Sequence, residues 1–257
     1  MRRAAAILLS ALSVGAVGPA ASQPPTRTVL AATPIARLDL PWWRERFERK
    51  SAELHRGPVD LAFYGDSITQ DYERADFAPV WQHFYGQRHA INLGFTGDTT
   101  ASLLWRIEHG EADGITPAVA VVLIGANNFG RLHWSAADTE AGIVADVAAL
   151  RRHLPRTRIL LLGILPADRG AWVARETKLV NAALAARYAG DRMVRFLDVG
   201  GVFLHDGQLD SALFLDPALS PPRPALHPNA QGQARMAEAI EPALAELLSK
   251  PGAPPQR

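Results

Sequence analysis

Ser67 stands in Gly65-Asp66-Ser67-Ile68-Thr69, directly after an apolar run, which puts its hydroxyl at a strand-to-helix turn where backbone N–H groups converge. A hydroxyl so placed suits a nucleophile, although an isolated Gly-Asp-Ser reads more readily as a helix cap. Further on, Asn92-Leu93-Gly94-Phe95-Thr96-Gly97-Asp98-Thr99-Thr100 is a glycine-bearing loop that opens another helix. With no side chain in the way, Gly97 can bring its N–H against a ligand oxygen. On that stretch alone a turn capped by Asp98 or Thr99 is an equal reading. Asn127, in Gly125-Ala126-Asn127-Asn128, offers a side-chain amide to a developing negative oxygen, where a lone loop asparagine more often stabilises a turn. His227, in Leu226-His227-Pro228-Asn229, lies on a loop before the last helix with its imidazole free to face a cleft. Of the eight histidines it has the best context for a general base. His55, His109 and His153 read as solvated helix positions, and His83 and His89 border the second strand. No metal-ligand spacing and no glycine-rich phosphate loop accompany these residues, so neither a metal nor a cofactor is implied.

Such residues need a frame, and the chain supplies one. Val59–Tyr64, Ala90–Leu93, Val119–Ile124, Arg158–Gly163 and Val194–Leu197 are short, apolar and partly β-branched, the pattern of buried parallel strands. Amphipathic stretches at about 76–85, 99–109, 135–153 and 172–189 separate them, a first helix begins at Pro41, and a last one spans 230–248. This alternation predicts a three-layer α/β/α domain on a mainly parallel sheet, with its site outside the carboxyl ends of the strands. Ser67, Gly97 and Asn127 each follow such an end.

Taken in order, the Ser, Gly, Asn and His blocks resemble the SGNH or GDSL hydrolase family, and most of all its platelet-activating-factor acetylhydrolase type Ib catalytic-subunit branch. The likeness runs on through Leu104-Trp105-Arg106, Leu162-Gly163-Ile164-Leu165-Pro166 and Asp198-Val199-Gly200-Gly201, and so covers roughly residues 41–248. The resemblance implies a flavodoxin-like five-stranded sheet. It also implies Ser67 as nucleophile, an oxyanion hole from the Ser67 N–H, Gly97 and Asn127, and His227 as base. The expected activity is hydrolysis of short-chain esters, acetyl first, on carbohydrate or lipid alcohols. A non-catalytic carbohydrate-binding or scaffold protein that keeps the fold with impaired base geometry is the alternative.

Two positions depart from the family. Its acid normally stands three residues before the histidine, where this chain has Pro224, and Gln233 replaces an aromatic residue, a difference read as packing. Pro217-Ala218-Leu219 recurs as Pro224-Ala225-Leu226. Removing Pro217 to Arg223 would leave Asp216-Pro-Ala-Leu-His227, one residue longer than the family's arrangement. A short insertion that loops out would therefore let Asp216 meet His227, and a Ser-His dyad with Asp216 capping a turn is an equal alternative. Trp81, Trp105, Trp134 and Trp172 are candidates for a sugar or lipid platform, with core packing the better reading of each.

The start of the chain is a targeting pattern. Arg2 and Arg3 precede the mostly apolar run Ala4 to Gly18, and Ala20-Ala21-Ser22 offers small residues for cleavage, so residues 1–22 read as a signal peptide and the protein as exported to the periplasm or beyond. Residues 23–40, with three prolines, read as a linker, and 249–257 as a frayed tail. Loss of Arg2 and Arg3 from the 27 Lys plus Arg leaves 25 against 26 Asp plus Glu, a nearly neutral protein with no basic patch for nucleic acid or an anionic membrane. With no cysteine, stability has to come from an ordinary core rather than from disulfides.

Overall fold

The computed structural model describes residues 27–249. The expected signal peptide and the tail beyond Ser249 lie outside the described residues. Five strands, β1 (Leu61–Gly65), β2 (Ala90–Gly94), β3 (Val119–Leu123), β4 (Arg158–Leu162) and β5 (Val194–Leu197), form one sheet in the order β2-β1-β3-β4-β5. All four pairings are parallel. Alternate side chains serve opposite faces. Ala62, Tyr64, Ala120, Val122, Ile159 and Leu161 enter one core cluster, and Leu61, Phe63, Val121, Leu123, Leu160 and Leu162 enter the other. Burial on both faces explains why these strands read as unbroken apolar runs.

The helices are α1 (Pro41–Glu53), α2 (Ser67–Gln70), α3 (Ala78–Tyr85), α4 (Thr100–Arg106), α5 (Ala126–Gly130), α6 (Ala136–His153), α7 (Ala171–Arg187) and α8 (Ala230–Ser249). Leu103, Leu104, Ile143, Val147, Val180 and Leu184 bring α4, α6 and α7 to the first face. Met236, Ile240 and Leu244 bring α8 to the second, beside Tyr85 of α3. The result is the expected three-layer α/β/α domain. A small antiparallel ribbon, β6 (Leu204–His205) with β7 (Gln208–Leu209), follows the sheet. None of the described helices is long and apolar enough to cross a membrane.

One stretch differs from the sequence reading. Residues 27–40, expected as part of a linker, lie against the domain. Ala31 is buried, its carbonyl accepts from Thr100 Oγ1 at 2.7 Å, and the Ile35 N–H donates to Ala101 O at 3.0 Å. A proline-bearing segment without periodicity carries no helix or strand signal, yet its carbonyls and amides can still be satisfied by a neighbouring loop.

Candidate active site

The strand order reverses between β2 and β3 on either side of β1, and in an open parallel sheet that reversal opens a crevice at the carboxyl ends. Ser67 follows β1 and Asn127 follows β3, so both stand at its mouth. Asp66 caps α2 by accepting the Ile68 N–H at 3.0 Å, which leaves Ser67 as the first helical residue with no intrahelical acceptor for its own N–H. Gly97, at φ +76°, holds a backbone conformation that side chains disfavour, and its N–H makes no hydrogen bond among the described residues. Gly125, at φ +123°, turns the chain from β3 into α5 and so presents Asn127. One Nδ2 hydrogen of Asn127 goes to Asp98 O at 3.0 Å, and Asp66 Oδ2 lies 3.5 Å away, a long contact. The second amide hydrogen is thus available to a ligand.

His227 closes the site. Its Nε2 lies 3.0 Å from Ser67 Oγ, and its Nδ1 lies 2.9 Å from Asp216 Oδ1. The other Asp216 oxygen accepts the N–H groups of His227 at 2.6 Å and Leu226 at 3.0 Å. The loop between them is set aside by a short antiparallel pairing. Leu215 N donates to His227 O, Asn229 N to Leu213 O, and Phe214 bridges Pro228, while the exposed residues 220–224 project outward. Burial disfavours the Asp216 charge, but the His227 and Leu226 N–H groups and the facing imidazole outweigh it and hold the carboxyl below its usual range. Asp66 goes the other way. Burial raises it to about 7 against the opposing Ile68 N–H and His227.

The structure also brings in residues that the sequence reading passed over. Asp98, weighed as a cap, makes no cap. Its Oδ1 accepts from Trp43 Nε1 at 2.7 Å and Arg37 Nη1 at 2.9 Å, and its Oδ2 from Arg106 Nε at 2.8 Å. Arg106, fully buried, also donates to Leu93 O and Gly65 O and pairs with Glu111. One ion network therefore ties the ends of β1 and β2 to the loop bearing Gly97, and through Asp98 O to Asn127. Asn128 fastens α5 to α4 by accepting the Thr100 N–H and donating to Thr100 Oγ1. Gln233 has more than the packing role expected of it, since its buried amide donates to Ile68 O at 2.8 Å and joins the helix after His227 to the helix of Ser67. The signal for Asp98 and Arg106 was present as charge in otherwise apolar helical and loop positions, where only a partner permits burial. His55, His83, His89, His109 and His153 are exposed. Trp81, Trp105 and Trp172 pack against Phe63, Trp43 and Phe129 respectively, whereas Trp134 lines a cavity beside Gly97.

A serine and a histidine in contact at the switch point of a parallel sheet, beside convergent donors, form an arrangement suited to an α/β ester hydrolase. A profile of the GDSL-like lipase/acylhydrolase family matches residues 63–235, and the chain belongs to that family. It is a carboxylic ester hydrolase. Among relatives, it is 32% identical to a platelet-activating factor acetylhydrolase IB subunit alpha1 of Bos taurus over 65% of this chain and 70% of that one. Among solved structures, it resembles a GDSL-like lipase of Bacteroides thetaiotaomicron (TM-score 0.63, 18% identity, 79% of this chain and 97% of that one). It also resembles a carbohydrate acetylesterase family member of Sinorhizobium meliloti (TM-score 0.57, 19% identity, 75% and 100%).

Proposed function

We propose that the protein is an exported serine esterase that removes short acyl groups, acetyl first, from carbohydrate or lipid alcohols. The observation that carries this reading is the line of contacts from Ser67 Oγ to His227 Nε2 at 3.0 Å and from His227 Nδ1 to Asp216 Oδ1 at 2.9 Å. His227 takes the Ser67 proton as Oγ adds to the ester carbonyl, and Asp216 steadies the imidazolium. The oxyanion meets the N–H groups of Ser67 and Gly97 and the Asn127 amide. His227 then protonates the departing alcohol, and water, deprotonated by the same ring, releases the acyl group. The names of the bovine relative and the Sinorhizobium structure favour acetyl, and the pattern of residues 1–22 favours export. The non-catalytic alternative drew its strength from Pro224, and a carboxylate at hydrogen-bond distance from His227 speaks against it.

A fluorophosphonate probe should label Ser67, and p-nitrophenyl esters from acetyl to palmitoyl should be cleaved best at the short end, with acetate released from acetylated xylan or an acetylated lipid. No labelling and no turnover of p-nitrophenyl acetate would sink the enzymatic reading, and a long-chain preference would sink the short-acyl one. Sequencing the N-terminus of the protein from fractionated cells tests export, which fails if the product stays uncleaved in the cytosol.

A further inference from the structure

Two guanidinium groups converge on Gly97. A Cβ built there would meet Arg131 Nη1 at 2.6 Å and Arg37 Nη1 at 3.4 Å, so both cations touch the wall of the loop whose N–H faces the reacting carbonyl. Their pairing differs. Arg37 is committed, donating to Thr96 O at 3.0 Å and Asp98 Oδ1 at 2.9 Å. Arg131 is exposed, and its guanidinium has no hydrogen-bond or ion-pair partner among the described residues. Asp98 is not open to it, because its two oxygens already hold Trp43, Arg37 and Arg106. Arg169, lying against Gly130 on the next loop, adds a buried Nη1 that likewise lacks a partner. Arg131 and Arg169 thus leave N–H donors unmatched on this side of the site, and an anion that settles beside Arg131 would accept from it.

The same place is hollow. Ile35, Arg37, Gly97, Arg131, Leu132 and Trp134 line a cavity of about 220 Å³. Its apolar walls fit a flat or compact carbon skeleton, and the free fork of Arg131 fits a carboxylate or another planar or tetrahedral oxyanion in bidentate geometry. Two of these residues, Ile35 and Arg37, come from the segment packed ahead of α1, outside the stretch 63–235 matched by the family profile.

We propose that this cavity receives the alcohol portion of the ester, and that Arg131, backed by Arg37, selects alcohols that carry a negative charge near the scissile bond. The assignment rests on the short-acyl reading, because an acetyl group has no charge to offer and the anion must then belong to the alcohol. Arg131 is a specificity-determining residue here, and the bond broken remains the ester C–O.

The test compares 3-acetoxybenzoate with its neutral isostere 3-acetoxybenzamide, following acetate release. The wild-type protein should show kcat/KM at least about tenfold higher for the acid, the difference residing in KM, since a charge-assisted hydrogen bond of this kind is worth one such factor or more. In Arg131→Gln the ratio should fall to near one, and Arg131→Lys, which keeps charge without the fork, should recover part of it. Binding of the same two compounds to Ser67→Ala by calorimetry, with and without Arg131→Gln, reads the cavity independently of turnover. Equal affinities for acid and amide, or a preference that survives Arg131→Gln, would overturn the proposal. Charge-selective binding without any acetate release from the wild-type protein would instead overturn the esterase reading alone.

Discussion

Within the candidate site the most telling contact is made by Asp216. Its Oδ1 reaches the ring of His227 while its Oδ2 accepts two backbone N–H groups, so the carboxylate has one orientation and the imidazole inherits it. Asp216→Asn would place an amide where an acceptor is required, favouring the wrong tautomer, and turnover should drop by up to roughly 10⁴ in a protein that still folds. A loss below tenfold would leave Ser67 and His227 working as a dyad. In the proposed mechanism Asn127 acts on the other side of the carbonyl. Asn127→Ala should lower kcat by about 10² to 10³ with little change in KM, because the bond it removes forms fully only to the oxyanion. Equal damage to both constants would assign the amide to ground-state binding. Ser67, Gly97, Asn127 and His227 stood out in the sequence as an ordered set, since the first three blocks, each alone, read equally well or better as a cap or turn. Arg131 did not. An exposed arginine in a loop has no local signature, and only folding puts it over Gly97.

The elements follow the same logic. The five strands are found within two residues of their expected ends, since a strand buried on both faces must be apolar throughout and declares itself by composition. Helices read from periodicity hold as well, whereas α2 and α5, at four and five residues, are too short for a period to register. The packed segment 27–40 escaped notice for a related reason, its contacts being hydrogen bonds to its backbone and two arginines, Arg27 and Arg37, that composition does not announce. Between Asp216 and His227 the repeat Pro-Ala-Leu did carry information. Leu219 N and Arg223 N both donate to Asp216 O, so the loop leaves and re-enters at nearly one point. Deleting Pro217 to Arg223 should therefore keep the Asp216 to His227 contact, change stability by no more than about 1 kcal/mol, since closure cost varies slowly with loop length, and leave esterase activity within about tenfold. Complete loss of activity in a folded deletion variant would show that the loop itself shapes the site.

For the whole molecule, the absence of cysteine places stability on the core and on how its buried charges are met. Several carboxyl groups are met poorly, Asp66 and Asp146 among them. Asp66 is raised to about 7 by burial, and Asp146, fully buried on α6 with neither oxygen hydrogen-bonded, is raised well above its ordinary value by the same cause, with Arg106 opposing and Asp98 and Glu108 adding to it. A carboxyl group whose folded pKa is raised holds its proton in the native state over a range where the unfolded chain has released it. Its contribution to stability is complete below the unfolded value near 4 and is lost as pH rises towards the folded value. Asp216, held low, has the opposite sign and contributes fully only above pH 4, so it does not add to the slope at neutral pH. As pH rises above the unfolded value, the cost of carrying Asp146 in the fold should therefore grow. Asp146→Asn keeps the shape and removes the proton equilibrium. Its Tm should match or slightly exceed that of the wild-type protein at pH 5, and the gap should be wider at pH 8 in differential scanning calorimetry. Parallel curves across that range would mean that Asp146 stays charged in the fold and that an acceptor-free burial site does not, in this protein, keep a carboxyl protonated.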